Sequence, residues 1–110
     1  MFAELFHGNP VMIDHTPVGA IAAGQGVLIG TELHIAHRAI AAGELGALAT
    51  PSGNAVYKIV KKAAETFAVD DDVEVHIVNQ EADSAGTAAV GLTCVKTAAS
   101  ADGFVFARHG

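Results

Sequence analysis

Tryptophan is missing from this chain of 110 residues, tyrosine occurs once, and aromatic residues reach only 5%. Although 51% of the residues are hydrophobic, much of that share is alanine and valine. The expected core is therefore thin, and at this length it belongs to one domain. Basic residues are scarce too. Six Lys and Arg stand against twelve Asp and Glu, a formal charge of −6. Binding to a phosphate backbone relies on clustered Lys and Arg, so nucleic acid is not an expected partner. The local concentration "KIVKK" (58–62) reads as a solvated face. A lone cysteine, Cys94, cannot close an intramolecular disulfide. Its setting, "VGLTCVKT", suits a small buried thiol. The longest mostly apolar run, "PVGAIAAGQGVLIG", is too short and too rich in glycine to span a bilayer, so no membrane partner is expected. The start, "MFAELFHGNP", has neither the basic residues nor the apolar stretch of a signal peptide. Synthesis in a cytoplasm is the expectation.

What the chain does have is one short phrase, repeated. "AIAAGQGVLIG" (20–30) is followed by "AIAAGELGALA" (39–49), with weaker echoes in "FAVDDDVEVHI" (67–77) and "AASADGFVFAR" (98–108). Small residues lead into Gly or Asp, and branched or aliphatic residues resume after it. Glycine tolerates positive φ, and Asp bonds its own local backbone, so each copy reads as a sharp turn. The flanking segments alternate with period two, the strand signal. In "VEVHIV", Val73, Val75 and Ile77 share one face. In "FVFARH", Phe104 and Phe106 share a face with the stem of Arg108, and "TELHIAHR" puts Leu33 and Ile35 opposite His34 and Ala36.

The fold class is thus all-β, a small antiparallel barrel or sandwich with short Ala/Gly turns. Two segments leave room for one short helix. "AHRAIAAGELGALA" is rich in alanine, the best helix former, and "VYKIVKKAAETF" fits helical spacing at Val56, Ile59, Val60, Ala63 and Phe67. Strand is favoured for the latter, because Gly53 and Asn54 make a turn before it and "VDDD" makes one after it.

Six histidines raise the question of a metal. His34 and His37 would share a face on a helix, but a strand sends them to opposite faces. His7, His15, His76 and His109 have no ligand spacing. "DDD" with Glu74 lacks the calcium-loop pattern. "GAIAAGQG" leads into a strand and lacks the Lys-Ser/Thr that grips a nucleotide. Ser52, Ser84 and Ser100 lie outside any nucleophile elbow. No catalytic, cofactor or metal residues are assigned, and the chain is not expected to be an enzyme.

The order "NPVMIDHTPVGAIAAGQGVLIG", "IAHRAIAAGELGALATPSGNAVYKI", "AVGLTCVKTAASADGFVFARH" resembles the capsid cement, or head-decoration, proteins of tailed bacteriophages. The likeness runs from about Asn9 to Arg108. It departs at "KKAAETFAVDDDVEVH", where the family more often repeats Ala-Ala-Gly-Asp. The resemblance implies a small all-β protein, made in the bacterial host's cytoplasm, that binds the outer surface of an assembled head and stabilises it. It implies the major capsid protein as partner and a homotrimer as the assembly. Residues 1–14 are then expected to form an arm, dispensable for folding, ahead of a single β domain at 15–110. Phe2, Leu5 and Phe6, apolar residues at a terminus that is normally polar and loose, are the candidate capsid contacts. Two other readings compete. A lipoyl- or biotinyl-like carrier domain would need an exposed Lys beside Met or Asp at a hairpin tip, which Lys58, Lys61, Lys62 and Lys96 lack. A small metal-dependent β-barrel enzyme would need the histidine cluster that the spacing denies.

Overall fold

A computed structural model describes residues 1–84 and 88–110. Its strands are β1 (Ala3–Gly8), β2 (Val11–His15), β3 (Gly26–Ile29), β4 (Glu32–Ile35), β5 (Gly46–Thr50), β6 (Ala55–Val60), β7 (Asp72–His76), β8 (Glu81–Ala82), β9 (Ala88–Lys96) and β10 (Phe104–His109). They form two antiparallel sheets, ordered β1-β6-β10-β9-β7-β8 and β2-β5-β4-β3. No helix occurs among the described residues. Of the two expected architectures, the sandwich is the one formed. "AVYKIV" is strand β6, paired on both sides by β1 and β10.

The sheets share one core. Tyr57, Ile59, Val105, Ala107, Leu92, Cys94, Val73 and Val75 of the larger sheet meet Leu33, Ile35 and Ala49 of the smaller. The alternation within "VEVHIV" and "TELHIAHR" is the observed one, although both faces of β4 are buried. A second, smaller cluster of Ile21, Ala36, Ile40 and Leu48 covers the smaller sheet's other face. In β10 the buried side is Val105, Ala107 and His109, so the phenylalanines point away from the core.

The repeated phrase has a common geometry. In each copy an amide donates across a four-residue turn: Gln25 to the Ala22 carbonyl, Glu44 to Ala41, Asp71 to Ala68 and Asp102 to Ala99. The side chain at the turn's end often answers, since the Ala22 amide donates to Gln25 Oε1 at 2.9 Å and the Ala68 and Ala99 amides donate to Asp71 and Asp102 Oδ2 at 2.8 Å. The third position has positive φ at Gly24, Gly43 and Asp70, the mark of a type II turn. The copies also pair: Ile21 bridges Ile40, and Phe67 bridges Ala98. A fifth turn sits in the segment where the sequence departs from the family's phrase. In "KKAAE" the Glu65 amide donates to the Lys62 carbonyl, and Ala64 takes φ +68°.

Candidate functional site

Between the two sheets lies an opening on one side. β1 is an edge of the six-stranded sheet and β2 an edge of the four-stranded one. They follow each other in the chain through Asn9 and Pro10. Each therefore leaves a row of backbone groups without a strand partner. Between the edges runs a groove of about 750 Å³, bordered by Leu5, Met12, His37, Arg38, Glu44 and Leu45, among others. Leu5 and Met12 are more than a third exposed, and Leu45 is 71% exposed. Beside Met12 on β2, Val11 and Ile13 are exposed as well. Three consecutive apolar residues on an unpaired edge are an uncommon liability for a protein that stands alone in water.

The three residues singled out at the terminus are placed differently from one another. Phe2 is buried in the shared core at 4% exposure, where its ring lies against Gly26 and leaves no room for a Cβ there. The Ala3 amide donates to the Gly24 carbonyl and the Val60 amide to the Phe2 carbonyl, so the terminus is tied to both sheets. Leu5 opens onto the groove. Phe6, 60% exposed, sits at the bulge of β1 and meets the Phe106 ring edge-on at 4.8 Å. The residues are not brought together as one patch. Residues 1–14 supply one edge strand to each sheet.

His37 lines the groove, and the buried polar groups behind it were not legible in the sequence. His37 Nε2 and the Tyr57 hydroxyl share a hydrogen bond of 2.7 Å, and Tyr57 in turn packs edge-on against His109 at 5.7 Å. Burial pushes the Tyr57 phenol up and the His37 imidazole down, so both are neutral at pH 7. His109 is wholly buried; its Nε2–H donates to the Leu33 carbonyl at 2.8 Å and its Nδ1 has no partner. That bond joins β10 to β4 across the sandwich. A proton on Nδ1 would be a buried, unpaired charge, and burial lowers the His109 pKa accordingly.

His34 Nδ1 donates to the Glu32 carbonyl, and among the described residues no group of three or more His, Cys, Asp or Glu is placed to hold a metal ion. Cys94 is buried; its thiol donates to the Lys96 carbonyl, and burial pushes its pKa up. It remains a thiol, which is a poor nucleophile. What the open side offers is contact: exposed apolar residues, unpaired strand edges, the charged side chains of Asp14, Arg38 and Glu44, and the neutral His37.

Comparison with curated proteins gives no match. The family comparison does, and it covers almost all of both sheets: the family model of the phage cement proteins matches residues 7–109. The chain belongs to the phage cement protein family, whose members are structural components of the capsid.

Proposed function

We propose that this protein binds the outer surface of the assembled phage head and stabilises the shell, sitting there as a homotrimer in contact with the major capsid protein. The observation that carries this reading is the open side of the sandwich. Two unpaired edges, β1 and β2, flank a groove whose rim exposes Leu5, Met12 and Leu45 beside the charged Asp14, Arg38 and Glu44. A partner strand or loop seated there would bury Leu5, Met12 and Leu45 and pair the free backbone groups. Each fully buried apolar side chain of this size is worth roughly 1.5–3 kcal/mol. In a trimer three such contacts would act together, and avidity would multiply a modest single-chain affinity. An acidic chain suits a position outside the shell, away from packaged DNA.

Heads assembled without this protein provide the test. Purified protein is expected to sediment with them at a saturable stoichiometry and to raise the temperature at which they open. The double variant Met12→Glu, Leu45→Glu places charge on the groove rim at exposed positions. It is expected to keep its melting temperature within a few degrees and to lose most head binding. Failure of the wild-type protein to sediment with heads would overturn the reading.

A further inference from the structure

Half of the scarce basic residues and half of the aromatic ones gather on one surface, the outer face of the six-stranded sheet, away from the groove. Strand register places them there: Phe104 opposite Val60, Phe106 opposite both Lys58 and Lys96, and Arg108 opposite Val56. With Phe6 packed on Phe106, three of the chain's five phenylalanines and three of its six basic residues share this half of the sheet. Phe6 and Phe104 are exposed, and Val95 beside Lys96 is as well. Toward β7 the same face turns acidic at Asp72 and Glu74, opposite Thr93 and Ala89.

The ammonium groups are held over aromatic rings, and Glu4 of β1 stands opposite Lys58 in the strand register without forming an ion pair with it. Lys58 Nζ stands 4.1 Å from the centre of the Phe104 ring, and Lys96 Nζ 5.7 Å from that of Phe106. Among the described residues an ion pair joins Lys62 to Asp83; Lys58, Lys96 and Arg108 have none. Between the two lysines is a notch of about 190 Å³ bordered by Phe104 and Phe106. The Asp102 carboxylate at its edge is committed to the Ala99 amide.

We propose that this face is a second docking surface, which takes an apolar, carboxylate-bearing patch of a capsid protein, with acidic side chains entering the notch between Lys58 and Lys96 and apolar ones meeting the exposed edges of the phenylalanines. The proposal rests on the capsid-binding reading above. This surface differs in kind from the groove: it pairs lysines with phenylalanines, where the groove exposes Leu5, Met12 and Leu45. Charge complementarity points to the occupant: on this half of the sheet Lys58, Lys96 and Arg108 outnumber the carboxylates of Glu4 and Asp102, on a chain of −6, so the face favours an acidic partner. Single-stranded nucleic acid is disfavoured because base stacking needs open ring faces. Here ammonium groups lie over Phe104 and Phe106, and Phe6 packs edge-on to Phe106.

The experiment compares wild type with Lys58→Glu, Lys96→Glu and with the milder Lys58→Gln, Lys96→Gln, each checked for an unchanged melting temperature and elution volume. Binding to heads assembled without this protein is measured at 50 mM and 500 mM NaCl, beside a control with oligothymidine. Wild type is expected to bind heads about tenfold more weakly at the higher salt. The Gln variant should lose about tenfold at low salt, the Glu variant more, and both should lose most of the salt dependence. Equal binding by wild type and the Gln variant at both salts overturns the proposal while leaving the groove reading standing. Absence of wild-type binding overturns both. A change of oligomeric state in the variants would make the face a contact between copies, and lysine-dependent oligothymidine binding would make it a nucleic-acid surface; either overturns the proposal.

Discussion

His109 shows how a single residue sets a pH limit on this fold. It is buried, donates through Nε2 to the Leu33 carbonyl, and has an unpartnered Nδ1. Burial holds its pKa below the ordinary 6.5, with the Leu33 bond opposing in part and with His34 and His37 adding to the depression. The folded protein therefore refuses a proton that the unfolded chain accepts. Stability is complete above pH 6.5 and falls as pH drops below it, until the folded-state pKa is reached. For one such group the slope in that window is about 1.4 kcal/mol per pH unit at most. His37, lowered by burial too, acts in the same direction. Melting temperature is thus expected to fall between pH 7.5 and 5.5. His109→Gln keeps a donor for Leu33 without a titrating ring, so it should show a shallower fall over the same range. An unchanged slope would mean that the buried ring does not control the acid limit.

At the scale of the element, the recurrent turn was the most legible feature of the sequence, and its reason is local. Small residues, then Gly, Asp or Ala, then Gln, Glu or Asp carry the turn within four residues, with left-handed backbone at Gly24, Gly43 and Asp70 and a side-chain acceptor at Gln25, Asp71 and Asp102. Nothing distant is required. The fifth turn at 62–65 was hidden because Ala64 stands where the motif has glycine, and an alanine there reads as helix former rather than turn former. The groove and the charged face were less legible for the opposite reason. They depend on which strands become edges and which faces turn outward, and neither the β1–β6 pairing nor the placing of Phe104 and Phe106 outside follows from alternation alone. Period two gave the shared faces in β10 correctly while leaving open which face meets water.

The turn geometry makes a paired prediction. An L-residue in the left-handed region costs roughly 1–2 kcal/mol, partly offset in a comparison with glycine by the latter's greater unfolded-state entropy, roughly 0.5–1 kcal/mol. Ala64→Gly is therefore expected to raise the melting temperature by a few degrees. Gly43 has φ +76°, and no atom lies within 4 Å of the place a Cβ would take. Gly43→Ala thus carries only the conformational cost and should lower the melting temperature by a similar amount. Thermal melts at pH 7.5 read both, and equal signs would rule out the shared type II geometry.

For the whole molecule, the N-terminal segment decides whether the two sheets behave as one unit. Phe2 fills the shared core, the Ala3 amide reaches the four-stranded side at Gly24, and β1 runs along β6 on the six-stranded side. Truncating a buried Phe to Ala typically costs about 3–5 kcal/mol, against a total stability of about 5–15 kcal/mol for a domain. Phe2→Ala is expected to lower the melting temperature sharply, whereas Phe6→Ala, at an exposed position, should change it little. Deleting residues 1–7 removes the core ring, most of an edge strand and both backbone ties at once, which together approach the whole margin. The truncated chain is expected to lose its cooperative thermal transition and to aggregate, and its failure to bind heads would then report loss of the fold. Circular dichroism and a melting curve on the truncated chain separate the two cases: a sharp transition near that of the intact protein would show that the sandwich closes without β1, and the segment's contribution would have to be sought in contact alone.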